Sequence, residues 1–234
     1  MQSLHRVRDR WVGRRTSLIN QIRGLLLERG ITIRQGRRYA EAALPGILED
    51  PDTRLSGPLR TLLAQLQQEL RQLQSQIEEV DEVIVKAASE HEACRRLMAI
   101  PGVGSLTATA IVAAIGNGIE FSKGRNFATW LGLVPGQYST GGKQRLLGIS
   151  KRGSSYLRRL FVHGARAVLQ RQNKQSSGLQ TWLAQLATRA HKNVVAVALA
   201  NKLAAWLGRY WPKASHIALH SLSALYPSDE MACK

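Results

Sequence analysis

Residues 59–84 read LRTLLAQLQQELRQLQSQIEEVDEVI, and the fold class turns on this stretch. Leu59, Leu63, Leu66, Leu70, Leu73, Ile77, Val80 and Ile84 follow one another by alternating steps of four and three, the heptad spacing that keeps one apolar stripe along a helix. Gln and Glu fill the other faces, and neither Gly nor Pro interrupts the run. A stripe this long has to be covered. An antiparallel helical hairpin would cover it within the chain, and an oligomerisation coiled coil would cover it with a second copy; the spacing alone allows both.

Working outward, residues 53–92 form the coiled-coil segment, preceded by a basic helical region (1–52) and followed by a larger domain (93–212) and a tail (213–234). Leu4, Val7, Trp11, Leu18, Ile22, Leu25 and Leu26 recur at helical spacing, which predicts a helix over 1–29 with Gly30 as its stop. A short helix over Tyr39 to Leu48 should end at Asp50-Pro51-Asp52. Beyond residue 92 the pattern predicts helices at 105–115, 127–131, 154–171, 179–190 and 194–210, with one place for a small hairpin, Val134 to Gly148, turning at Gly141-Gly142. The expected class is all-α with little strand.

Charge is unevenly placed along the chain. The net charge is +17, and residues 93–228 contain eighteen basic side chains against a single acid, Glu120. Residues 1–40 hold ten basic and two acidic side chains, and residues 41–92 hold four and eleven. A folded stretch so depleted of acids repels itself unless a polyanion is bound, and nucleic acid is the usual one. The cations are spread through several segments instead of lining one amphipathic helix, which argues against a membrane surface as partner. Only two cysteines, Cys94 and Cys233, occur, with no His at ligand spacing, so neither a disulfide scaffold nor a structural zinc is expected. With no apolar run of membrane-spanning length and no signal-peptide core, the expected compartment is the cytoplasm.

Two motifs bear on chemistry. Ile100-Pro101-Gly102-Val103-Gly104, leading into Ser105-Leu106-Thr107-Ala108, resembles the helix-hairpin-helix module of DNA-binding proteins. Gly102, Val103 and Gly104 would bring backbone amides and a helix N-terminus to a phosphate; the plainer reading is a tight connection between packed helices. The second motif is Tyr138-Ser139-Thr140-Gly141-Gly142-Lys143-Gln144-Arg145, where hydroxyls exposed by glycines lie near cations able to stabilise a phosphoryl transition state. A solvated turn has the same composition. Lys123, Arg125, Lys143, Arg145, Lys151, Arg152, Arg158 and Arg159 are the candidate nucleic-acid contacts. Metal-assisted DNA cleavage needs several carboxylates near one another, and the only acidic cluster (69–92) sits on the coiled-coil helix as solvated face residues. A nucleophilic side chain therefore has to contribute. Tyr138 is a rival nucleophile, with His163 as a conceivable helper; His191, His216 and His220 lack partner carboxylates, and Trp130, Trp182, Trp206 and Trp211 occupy helix-packing positions.

The blocks Leu97-Met98-Ala99-Ile100-Pro101-Gly102-Val103-Gly104, Phe127-Ala128-Thr129-Trp130-Leu131-Gly132-Leu133-Val134-Pro135, Ser139-Thr140-Gly141-Gly142-Lys143, Gly148-Ile149-Ser150-Lys151-Arg152-Gly153 and Tyr156-Leu157-Arg158-Arg159 resemble, in order and spacing, the C-terminal domain of transposases of insertion-sequence family one-hundred-and-ten. Asn193-Val194-Val195-Ala196-Val197-Ala198-Leu199-Ala200-Asn201-Lys202-Leu203-Ala204 resembles the end of its one-one-one-one subgroup, and Leu4-His5-Arg6-Val7-Arg8 through Arg23-Gly24-Leu25-Leu26 its central linker.

The resemblance implies a bacterial, nucleoid-associated transposase that cuts and rejoins DNA through a serine–phosphate intermediate, guided by a bridge RNA and acting as a dimer or tetramer. The family's serine falls between Tyr138 and Gly142. Ser139 is the only serine there, whereas an ungapped match to members with one Ser before the Gly places Thr140 at that position. Family members begin with a RuvC-like domain whose acids bind Mg2+, and this chain resembles the part that follows it. No cofactor is expected on these residues themselves. The chain alone is expected to bind nucleic acid without transposing; the alternative is a helical DNA- or RNA-binding module without catalysis.

Overall fold

The computed structural model describes residues 1–53, 55–116, 121, 123–171 and 177–210. They fall into two compact units, Met1–Lys86 and Ala87–Lys234. Glu120, Trp211, His216, His220, Cys233 and the tail expected from 213 onward lie outside the described residues.

The first unit contains α1 (Gln2–Leu27), α2 (Arg37–Glu49) and the start of α3 (Gly57–Glu90). Gly30 takes φ +77°, and the Gly30 and Ile31 amides donate to the carbonyls of Leu27 and Leu26 (2.9 and 3.0 Å), closing α1 as glycine permits. At the end of α2 the Arg60 guanidinium caps the carbonyls of Leu48 and Asp50 and donates to Thr53 Oγ1 (2.8 Å), setting a cation where the helix dipole is negative.

Helices α1 and α3 run antiparallel, as their polar pairs show. Arg8 grips the Asp81 carboxylate with both Nε and Nη2, Arg14 Nη2 donates to Glu69 Oε1 at 2.9 Å, and Arg15 Nη1 donates to Gln74 Oε1 at 2.7 Å. Leu18, Ile19, Ile22 and Leu26 of α1 share one core with Leu63, Leu70 and Leu73 of α3 and Ala40 and Leu44 of α2. Leu59 and Leu66 pack at its margin, Ile77 and Ile84 are buried and Val80 is half-buried. Within the chain, α1 and α2 cover the Leu63 to Leu73 part of this stripe.

The second unit holds α4 (Glu92–Met98), α5 (Ser105–Ile115), α6 (Gly124–Trp130), the antiparallel strands β1 (Pro135–Thr140) and β2 (Lys143–Ile149), α7 (Ser155–Gln170), α8 (Ser177–Ala187) and α9 (Lys192–Tyr210). The all-α expectation holds, with the single small sheet where the glycine turn predicted one. Ser154 caps α7, its Oγ accepting from the Leu157 amide. Helix α9 is the centre of the unit: α6, α7 and α8 all pack on it. Its small residues make this possible. Ala196, Ala200 and Ala204 are buried, and a β-carbon at Gly208 would stand 2.7 Å from Phe127 Cβ. Phe127, Leu131, Leu133, Phe161, Leu183, Leu199 and Leu203 lie in one core. Trp130, 38% exposed, stacks on Phe127 (centroids 5.9 Å apart), while Trp182 and Trp206 pack at the core's edge with Lys202 Nζ over their rings (4.5 and 5.6 Å). Trp130, Trp182 and Trp206 are packing residues, as their spacing suggested. Among the described residues no helix is long and apolar enough to cross a membrane.

Candidate nucleic-acid interface

The β1–β2 hairpin is built by its turn. Gly141 (φ +58°) and Gly142 (φ +75°) supply the two successive positive angles of the turn that matches strand twist, pairing Thr140 with Lys143, Ser139 with Gln144 and Tyr138 with Arg145. Side chains alternate across a strand, and cross-strand partners share a face. Thr140, Lys143, Tyr138 and Arg145 therefore stand on one face, and Ser139 stands on the other with Gln137. Gln137 Nε2 donates to Ser139 Oγ at 2.8 Å. Most of the hairpin is open to solvent on both faces: Tyr138 and Leu146 are each 63% exposed, and Lys143, Arg145, Ser139 and Thr140 are exposed too.

Its base is rigid. The Ser150 amide donates to the Val134 carbonyl (2.9 Å) and the Lys151 amide to that of Gly132 (3.1 Å). A β-carbon on Gly132 would lie 2.0 Å from the Arg152 carbonyl oxygen, and one on Gly153 would lie 1.9 Å from that of Trp130, so two backbones touch where the hairpin leaves the helical body. Lys151 takes φ +55°, a left-handed conformation unusual for a side chain of its length. Arg158 Nη1 donates to the carbonyls of Leu131 (2.9 Å) and Arg152 (3.2 Å), binding the same junction from α7.

The predicted contacts thus divide. Lys143 and Arg145 stand beside Thr140, while Lys151 and Arg152 are exposed at the hairpin's base. Lys123 and Arg125 are exposed at the start of α6, whose end leads into β1. Arg158 spends its guanidinium on main-chain carbonyls, and exposed Arg159 lies over the Tyr156 ring at 5.4 Å. On α7, His163 has its pKa pushed down by partial desolvation and then by the nearby Arg166 and Arg159 cations.

The Pro-Gly-Val-Gly turn is a helix connection first. Val103 belongs to the core, and a β-carbon on Gly102 (φ +81°) would meet the Gly164 carbonyl oxygen of α7 at 2.9 Å. Only Gly104, at the start of α5, is exposed. Of the three residues read as phosphate contacts, Val103 has its side chain in the core, Gly102 packs its Cα against α7, and Gly104 is exposed. Sequence reasoning passed over Gly164, Gly132 and Gly153; a lone Gly inside a helical run such as α7 was the available signal for the first.

Among the described residues no three His, Cys, Asp or Glu side chains gather closely enough to hold a metal ion.

Residues 94–180 match the model of the IS116/IS110/IS902 transposase family. The chain is 45% identical over 203 residues to a probable family 20 transposase of Pseudomonas aeruginosa, covering 86% of this chain and 60% of that protein. It is 43% identical to the transposase for insertion sequence element IS1328 of Yersinia enterocolitica, covering 88% of the chain and 62% of the relative. With the transposase for element IS1111A of Coxiella burnetii the identity is 41%, over 86% of the chain and 56% of that protein. The chain spans about three fifths of the length of these relatives. Residues 94–180 are thus similar to the transposase domain of the IS116/IS110/IS902 family.

Proposed function

We propose that the second unit holds DNA during transposition and that a hydroxyl at the tip of the β1–β2 hairpin attacks the scissile phosphate. The observation that carries this reading is the hairpin itself: an exposed, cation-bearing projection with hydroxyls beside its turn, fixed at its base by interlocked glycines. In the step proposed, the hydroxyl oxygen bonds to phosphorus, one sugar oxygen leaves, and the proton lost by the hydroxyl is taken up by that leaving oxygen, directly or through solvent. Rejoining reverses it with a new strand end. Charge develops on the phosphate oxygens, and Lys143 and Arg145 are the nearby cations that stabilise it.

Ser139 is the only serine at this tip, and the strand register favours its neighbour. Thr140 shares its face with Lys143 and Arg145, whereas Ser139 is turned away and already accepts from Gln137. A guide RNA and the acidic residues of a metal-dependent partner domain belong to the same proposal and rest on the family resemblance. The test is covalent trapping. The chain is supplied with the segment its relatives carry outside the aligned region, element-end DNA, guide RNA and magnesium buffer. A protein–DNA adduct that survives denaturation and disappears in Thr140→Ala or Ser139→Ala names the nucleophile. If both variants keep the adduct, neither Thr140 nor Ser139 supplies it.

A further inference from the structure

The corner between α1 and α2 combines charge and stacking in a way that the transposase domain does not use. Residues 29–40 read RGITIRQGRRYA, with four arginines and no acid. The Arg34 and Arg38 guanidinium carbons lie over the Tyr39 ring, 4.6 and 5.6 Å from its centroid. Both arginines are exposed, while Tyr39 is half-buried against the core of the first unit and so holds a fixed position. Among the described residues, neither arginine has a carboxylate within ion-pair distance, in contrast to Arg8 and Arg14 on α1. A guanidinium held over a fixed ring can meet a second planar group and offers its N–H groups to phosphate.

Arg37, next in the chain to Arg38, lines an open cleft between α2 and α3 of about 450 Å³. Its walls also carry Arg71, Gln67, Ser75, Glu41 and Glu78. This mixture of amide, hydroxyl, carboxylate and guanidinium groups can both donate to and accept from the edge of a heterocycle. A duplex offers neither an unstacked base face nor a free Watson–Crick edge; a single strand offers both.

We infer that the Arg34–Tyr39–Arg38 corner and the adjoining cleft bind a single-stranded polynucleotide, with phosphate on the arginines and a base stacked on the corner. This surface belongs to the first unit and the hairpin of the proposed function to the second, and the inference stands or falls apart from that reading. The shared chemistry, an unstacked base joined to a phosphate, is available from RNA and from single-stranded DNA.

The test uses the full chain and three fluorescent probes at fixed salt: a 20-nucleotide unstructured RNA, the DNA strand of the same sequence, and its duplex. Arg34→Ala with Arg38→Ala should weaken binding of single strands about tenfold or more and leave duplex binding within about twofold; Lys143→Ala with Arg145→Ala should do the reverse. The charge-conserving pair Arg34→Lys with Arg38→Lys separates stacking from charge, because an ammonium cannot stack. It should lose most of the single-strand affinity, and Tyr39→Phe should keep it where Tyr39→Leu does not. Equal losses on all three probes, no loss on single strands, or full retention by the lysine pair would overturn the inference. Preference for the RNA strand over the DNA strand identifies the 2′-hydroxyl as a further contact, and equal affinity identifies phosphate and base face as the whole site.

Discussion

Gly102 and Gly164 touch backbone to backbone: a β-carbon placed on Gly164 would stand 2.1 Å from the Gly102 carbonyl oxygen. The turn that a sequence reader assigns to a phosphate is thus seated on the middle of α7. Gly to Ala inside a helix ordinarily stabilises by about 1 kcal/mol. Gly164→Ala should do the opposite, lowering unfolding free energy by about 1–3 kcal/mol through overpacking. Gly13→Ala in α1, where an added β-carbon meets nothing within 4 Å, should follow the ordinary sign. Denaturant titration of the two variants checks both.

Arg158 and Arg159 are adjacent cations with different duties. Arg158 bonds two carbonyls at the base of the hairpin, so Arg158→Met should lower stability by about 1–3 kcal/mol, the range for hydrogen bonds to a charged group. Exposed Arg159 should tolerate alanine, with stability changed by less than about 0.5 kcal/mol. Chemical denaturation of each single variant separates them.

Leu70 is 2% exposed in the helical hairpin formed with α1. Leu70→Asp should therefore unfold the first unit, seen as lost helicity and early proteolysis between residues 1 and 86. A variant that keeps its helicity and changes only its mass in sedimentation would show that the heptad is an interface between copies.

The first unit should also weaken in acid. His5 is buried, and its pKa is pushed down by burial, then by Arg8 and the N-terminal ammonium. The unfolded chain takes up a proton near the ordinary value of about 6.5, where the folded chain resists it. Stability is thus fully present above that value and is lost as pH falls toward the depressed folded pKa. The denaturant midpoint should drop between pH 7.5 and 5.5. His5→Leu should flatten this slope in the first unit, leaving the same-signed contribution of His163 in the second.

Periodicity and turn chemistry make most of the fold legible in the sequence. The four-three spacing of Leu59 to Ile84 gave α3, and Gly141-Gly142 gave the hairpin, because both are local signals. What covers the α3 stripe was not readable, since that depends on Arg8 meeting Asp81 across 73 positions of chain. For the candidate site, composition pointed to this loop but not to the face on which each hydroxyl stands. That follows from strand register, which Thr140↔Lys143 fixes only once the turn is known. A sequence does not distinguish an exposed glycine or arginine from one packed on a carbonyl, as Gly102 and Arg158 are.

The central claim, that the hairpin cations hold duplex DNA, is tested most directly by the salt dependence of duplex binding. Each neutralised phosphate adds about 0.9 to the slope of log affinity against log salt. Fluorescence anisotropy between 50 and 200 mM salt, applied to the intact chain and to Lys143→Ala with Arg145→Ala, should give a steep slope for the first and one shallower by about 2 for the second. A flat dependence in the intact chain, or the same slope in both proteins, would contradict the account.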